Sequence, residues 1–249
     1  MEREIIFGPP GTGKTQTLLQ KVTDALKSGV KPDRIGYVSF SKRANVEAIE
    51  RAQTIEEFNL TEKDLPYFRT LHSLAVRILG IDPSTQLMKT ADYQEFAKWI
   101  GIINFNTETA VDETGMVISK NEYLNQINLA RYRGISIADQ YNRNEHQGKI
   151  NWFKLERIAK ALPEFKKQSH KYDFTDFIEI VVNKKISPVL DVLFVDEAQD
   201  LNWLQWQMVH LLEKNSQKSY IAGDDDQAIY TFQGADVDHF LGLEGKKTI

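Results

Sequence analysis

The stretch Glu4-Ile5-Ile6-Phe7-Gly8-Pro9-Pro10-Gly11-Thr12-Gly13-Lys14-Thr15 decides how the rest of the chain is read. Glu4–Phe7 is a short apolar run that ends at glycine and reads as a buried strand. The next eight residues fit the spacing G-x-x-x-x-G-K-[ST]. From Thr15 to Leu26, apolar residues at 18, 19, 22, 25 and 26 share one helical face. A glycine-rich turn between a strand and a helix lets backbone N–H groups converge on phosphate oxygens, and the helix N-terminus adds a favourable dipole. The candidate nucleotide-binding residues are therefore Gly8, Pro9, Pro10, Gly11, Thr12, Gly13, Lys14, Thr15 and Gln16. Lys14 is expected to reach the β- and γ-phosphates and Thr15 to coordinate Mg²⁺. The motif implies a nucleoside triphosphate but not a reaction, because AAA+ machines carry the same loop.

Outward from this loop, strands and helices alternate. Ile35–Phe40, Phe68–Thr70, Val189–Val195 and Ser219–Ala222 read as strands. Lys42–Gln53, Leu71–Leu79 and Leu201–Leu212 read as helices. Such alternation implies an α/β fold, a parallel sheet with helices on both faces. The middle of the chain differs, with mostly helical patterns and polar joints such as Asn104-Phe105-Asn106 and Asn142-Arg143-Asn144. It reads as a helical subdomain over residues 81–165, inserted between two segments of the α/β domain at 1–80 and 166–249.

Composition narrows the class. The 249 residues are 41% hydrophobic and 27% charged, enough to bury a core and stay soluble. No apolar run reaches the roughly 18–20 residues a membrane span needs. The absence of cysteine excludes disulfides, thiolate zinc sites and iron–sulfur clusters, and fits a cytoplasmic protein. The net charge of −4 hides a basic middle: Lys120 to Lys171 holds eleven basic residues against five acidic ones. On composition alone this run reads equally well as solvated helix faces or as a nucleic-acid surface.

Two acidic motifs follow apolar strands. Val195-Asp196-Glu197-Ala198-Gln199-Asp200 stands at the end of a buried strand, where open parallel sheets bind ligands. Asp196 is placed to hold Mg²⁺ together with Thr15, and Glu197 to orient and deprotonate the attacking water. Gly223-Asp224-Asp225-Asp226-Gln227-Ala228-Ile229-Tyr230 follows the next strand.

These two runs resemble the second and third motifs of the UvrD/Rep/PcrA-like superfamily one DNA helicases. Val38-Ser39-Phe40-Ser41-Lys42-Arg43-Ala44 looks like the family's Ia motif, and Thr70-Leu71-His72-Ser73 like its T-x-H-S segment. Tyr172-Asp173-Phe174-Thr175-Asp176-Phe177 resembles the short D-F-x-D-[FL] element that leads back into the ATPase core. With the phosphate loop, these make six motifs in the family's order, covering the outer thirds of the chain. The resemblance implies a P-loop, RecA-like first domain with an inserted helical domain. It also implies a catalytic set of Lys14, Asp196, Glu197 and Gln227, with Gln227 sensing the γ-phosphate and coupling it to DNA. Phe40, Ser41, Lys42, Thr70, His72, Tyr230 and Phe232 are the implied DNA contacts. Aromatic faces beside cations suit a sequence-tolerant single-strand binder. The expected cofactors are ATP and Mg²⁺. The expected activity is translocation 3′→5′ along single-stranded DNA with separation of duplex strands, at junctions in the nucleoid. Arg131 and Arg133 of the insertion are expected to contact the duplex.

The chain also departs from the pattern. No glutamine precedes the phosphate loop, and Gln16 stands where many members carry arginine. Thr231-Phe232-Gln233-Gly234-Ala235 replaces the common G-W-R-G-A, so a smaller ring and no cation follow Tyr230. The family's later motifs, which belong to a second RecA-like domain, are not in this sequence, and Lys247-Thr248-Ile249 looks like the strand that leads into them. Arginine fingers from such a domain are worth about 10³–10⁵ in rate, so this half is expected to bind nucleotide and single-stranded DNA but to hydrolyse poorly alone. The other readings are a half-motor that binds without turnover and the motor part of a helicase–nuclease subunit.

Overall fold

The computed structural model describes residues 2–9, 11–40, 42–55, 58–103, 105–111, 117–143, 145, 148–224 and 234–248. The first α/β segment runs β1 (Glu2–Phe7), α1 (Lys14–Lys27), β2 (Ile35–Ser39), α2 (Lys42–Gln53), β3 (Phe68–Thr70) and α3 (Leu71–Leu79). The middle holds α4 (Pro83–Gln86), α5 (Thr90–Trp99), β4 (Thr109–Val111), β5 (Val117–Ser119), α6 (Glu122–Arg133), α7 (Ile137–Asn142) and α8 (Trp152–Ser169). The chain then returns through α9 (Phe174–Lys184), β6 (Leu190–Asp196), α10 (Trp203–Lys214), β7 (Ser216–Gly223), α11 (Val237–Leu241) and β8 (Lys246–Thr248).

Six strands form one sheet in the order β3-β2-β6-β7-β1-β8, every neighbouring pair parallel. Alternation along each strand splits the core in two. Ile6, Ile35, Tyr37, Val192, Phe194 and Ala222 face α1 and α2, where they pack with Leu18, Leu19, Val22 and Leu26. Ile5, Val38, Leu193, Val195 and Ile221 face the opposite side, with Leu74 of α3, Phe177 of α9 and Trp206 of α10. On the first face Phe68, Tyr37, Phe194 and Tyr220 make a ladder of rings across four strands, with centroids 5.6, 6.3 and 5.2 Å apart. The parallel register sets the ladder, since Tyr37 pairs with Phe68 and with Phe194, and Phe194 with Tyr220.

The expected strands and helices are present, with shifted ends that have local causes. The helix expected from Leu201 begins at Trp203, because Asn202 caps it by accepting from Gln205 N–H. The strand expected at Ser219 begins at Ser216, since the polar Ser216-Gln217-Lys218 hides its start from a search for apolar runs.

The middle region has a core of its own, in which Phe96, Leu124, Ile127, Leu155, Ile158 and Phe165 are buried together. It is mostly helical, but β4 and β5 form an antiparallel pair that the helical reading missed. Helix α8 runs past residue 165 to Ser169, so the boundary expected there falls inside a helix. The region is joined to the α/β core by a buried ion cluster. The Arg131 guanidinium of α6 donates to Asp173 (2.9 Å), Asp176 (2.6 Å) and Glu179 (2.7 Å) of the α9 region. Lys166 of α8 donates to the same Asp173 and Asp176, each at 2.7 Å. Burial alone would raise the Asp173 carboxyl, but Arg131 and Lys166 outweigh it and hold its pKa well below the usual range.

This cluster corrects one expectation. Arg131 is mostly buried and ion-paired inside the protein, so it is not presented to a duplex. Arg133 donates to Gln140 (2.7 Å) and pairs with Glu145 (2.8 Å). Both arginines contribute to the local basic count, but three acids beyond Lys171 (Asp173, Asp176 and Glu179) neutralise the first of them.

Candidate active site

The C-terminal ends of β1, β6 and β7 lie on the same edge of the sheet, and β7 stands between the other two. After β1, Gly11 (φ 80°) and Gly13 (φ 85°) adopt left-handed backbone that a side chain would strain. Gly13 is also the N-cap residue of α1. Gly8 has a second constraint, because a Cβ there would lie 2.6 Å from the Thr12 hydroxyl. Thr12 donates to the Pro9 carbonyl at 2.7 Å and closes the turn. The Lys14 ammonium donates to the Gly8 carbonyl and, at 3.1 Å, to that of Pro9, so it lies across the loop. Gly11, Thr12, Gly13 and Gln16 are exposed, and Lys14 and Thr15 are half-buried.

Asp196 ends β6. Val192, Phe194 and Asp196 share one side of that strand by its period of two, and this is the side of α1. Asp196 is 1% exposed. Thr15, at the start of α1, acts on this carboxylate to lower its pKa, which sets the phosphate loop beside the acidic motif. The Tyr37 hydroxyl of β2 donates to Asp196 Oδ2 at 2.8 Å. Burial, the Asp196 charge and this hydrogen bond raise the Tyr37 hydroxyl well above its ordinary pKa, so it stays protonated as a donor. Burial raises the pKa of Asp196, and the Tyr37 hydrogen bond, with a smaller contribution from Thr15, opposes that rise.

Glu197 turns the chain out of β6 in the left-handed region (φ 54°), an uncommon conformation for a residue with a side chain. Its Oε2 accepts from Gln199 Nε2 at 2.7 Å. The same amide donates more weakly to Asp200 Oδ2 at 3.3 Å, while its oxygen accepts from Asp224 N–H at 2.9 Å. Asp200 is 8% exposed, and burial followed by the charges of Glu197 and Asp224 pushes its pKa up to about 7.

The expected DNA contacts divide. Lys42 is exposed at the start of α2. Phe40 is only 4% exposed and packs in the core face with Val38, Leu71 and Leu74, so its ring is not presented as a stacking platform. Thr70 is the N-cap of α3, where its hydroxyl accepts from Ser73 N–H, and the buried His72 ring meets Phe174 edge-on at 6.1 Å. Both have structural work in this conformation: Thr70 satisfies a helix terminus and His72 packs α3 against α9. Pro10, Ser41, Gln227, Tyr230 and Phe232 lie outside the described residues. Tyr37 and Gln199 were missed by sequence reasoning. Strand periodicity could give the side that Tyr37 faces, but not that β6 would be its neighbour.

A phosphate-binding loop between strand and helix, with an acidic motif at the same edge of a six-stranded parallel sheet, defines a P-loop nucleoside triphosphatase core of the RecA-like kind. The chain belongs to the UvrD/REP helicase N-terminal domain family, whose model matches residues 2–248. It is 24% identical over 260 residues to the ATP-dependent DNA helicase Rep of Buchnera aphidicola subsp. Baizongia pistaciae, covering 96% of this chain and 36% of that protein. It is 26% identical to the ATP-dependent DNA helicase PcrA of Staphylococcus aureus (strain Mu50) over 96% of this chain and 33% of that one. The PcrA of Staphylococcus epidermidis is likewise 26% identical, over 96% and 34%. The chain thus spans about a third of the length of these relatives. Among the described residues no helix is long and apolar enough to cross a membrane.

Proposed function

We propose that this chain is the nucleotide-binding wall of an ATP-driven DNA helicase that moves 3′→5′ on single-stranded DNA. The observation that carries this is the buried Asp196 carboxylate, followed by Glu197, at the same sheet edge as the phosphate loop, in a chain of this family. Thr15 and Asp196 offer two hard oxygens on the phosphate loop and the acidic motif, a donor set that fits Mg²⁺. When bound, the ion neutralises charge on the phosphate oxygens.

Lys14 exchanges its loop carbonyls for the β- and γ-phosphates. Glu197 receives the proton of the attacking water, and the Gln199 amide on its Oε2 fixes one face of the carboxylate. Gln227 reports the γ-phosphate to the DNA side. The strand is held by Lys42 and Ser41 and by the rings of Tyr230 and Phe232. The exposed glycines of the loop leave one side of the site open, and arginines of a second RecA-like domain complete it there. The partners are single-stranded DNA and its junctions with duplex.

The test is the ATPase rate with and without a dT oligonucleotide, with Glu197→Gln as the blank. Nucleotide and oligonucleotide binding together with slow, Glu197-dependent turnover is the expected result. If neither ATP nor single-stranded DNA binds, the motor reading is wrong.

A further inference from the structure

Gln199 joins two motifs that the sequence treats separately. It sits in the 3₁₀ turn Ala198–Asp200 after β6 and is 5% exposed. One end of its amide donates to Glu197 Oε2 at 2.7 Å; the other accepts from the backbone N–H of Asp224 at 2.9 Å, just past the end of β7. Only an amide of this length serves both ends. A flipped amide would set its nitrogen against an N–H and its oxygen against two carboxylates. The strand end is shaped for it: a Cβ on Gly223 would lie 2.9 Å from the Gln199 oxygen and 2.5 Å from the Phe240 ring. The sequence that follows Asp224 carries Gln227, Tyr230 and Phe232.

We propose that Gln199 is a positioning residue that ties the carboxylate of Glu197 to the end of β7, so that a shift of β7's outgoing chain is felt at Glu197. This rests on the reading of Glu197 as general base. Gln199 touches neither the phosphate loop nor the Thr15–Asp196 pair through any of these bonds, so its loss leaves nucleotide affinity in place and changes the rate. A carboxylate held at one oxygen by a neutral donor keeps the other oxygen for water. Without the tie it samples other rotamers, and misplacement of this kind costs about 10²-fold in rate.

The experiment compares wild type, Gln199→Met, Glu197→Gln and the double variant in the full-length protein, by single-turnover ATP hydrolysis and by binding of a fluorescent ATP analogue, each with and without a dT oligonucleotide. Gln199→Met preserves length and removes all three hydrogen bonds of the amide, the weak one to Asp200 included. The expected result is a rate at least about tenfold lower with KM and nucleotide affinity within about twofold, weaker stimulation by DNA, and no further loss in the Glu197→Gln background. Gln199→Glu supplies a second readout. Its acid still accepts from Asp224 N–H but can donate to Glu197 only when protonated, so its rate relative to wild type rises as pH falls, while that of Gln199→Met does not. Equal losses from Gln199→Met with and without Glu197, or a Glu197-dependent rate that Gln199→Met leaves intact, overturn the inference alone. Equal hydrolysis by wild type and Glu197→Gln sinks the general-base reading and this inference with it.

Discussion

The hydroxyl of Tyr37 donates to Asp196 at 2.8 Å from the neighbouring strand, inside the ladder of rings that crosses the sheet. The tyrosine is fully buried, so the contact is fixed by packing rather than by a mobile side chain. It counters the burial that raises the Asp196 pKa and so favours the ionised carboxylate that a cation would need. Removing an outer partner of a metal-binding carboxylate costs about 10–100-fold in metal affinity. Tyr37→Phe is therefore expected to weaken Mg²⁺-dependent nucleotide binding about tenfold, with no change when the metal is chelated. A calorimetric titration in both conditions checks this; an equal loss in both would assign Tyr37 to packing alone.

Arg131 is a structural cation. Its replacement by methionine leaves Asp173, Asp176 and Glu179 clustered, with Lys166 still paired to the two aspartates. Breaking a buried ion cluster from one side costs about 3–5 kcal/mol. The expected outcome in urea denaturation is a loss of that size. Unchanged stability combined with weaker duplex binding would restore the DNA-contact reading.

Phe40 and Lys42 are two residues apart and should behave oppositely. Phe40→Ala empties a core position and is expected to cost about 3–5 kcal/mol of stability. Lys42→Ala should leave stability within about 0.5 kcal/mol while reducing the salt slope of single-strand binding by about one. Thermal melts and oligonucleotide titrations at several salt concentrations separate them. A Phe40→Ala variant that melts like wild type but loses the strand would reinstate the ring as a platform.

Asp200 gives the fold a pH dependence. Burial, then the Glu197 and Asp224 charges, raise its pKa to about 7, and its Oδ1 has no partner among the described residues. The folded chain therefore keeps a proton that the unfolded chain has released from the ordinary carboxylate range upward. That contribution is complete at low pH, falls as pH rises toward 7, and is gone above it. Asp200→Asn removes the slope, so its melting temperature relative to wild type should climb between pH 5 and 8. Parallel profiles would mean that Asp200 is already ionised in the fold.

The phosphate loop, the strand before it and the helix after it were legible in the sequence because each is a local matter. Glycine spacing sets the turn, and apolar periodicity sets the elements on either side. The same holds for Val189–Val195 and the acids that follow it. The β4–β5 pair was not legible, since two strands of three residues are too short to show a period against a helical background.

By itself, then, the sequence determined the order of the elements, the α/β class, and the chemistry gathered at Gly8–Thr15 and at Asp196-Glu197. Only the tertiary structure decided that Tyr37 reaches Asp196 and that the Gln199 amide lies on Glu197, that Phe40 faces the core, and that Arg131 is neutralised by acids more than forty residues away. The reason is physical. Backbone periodicity is written within a few residues, but burial and charge pairing depend on which distant segments the sheet order and the insertion bring alongside.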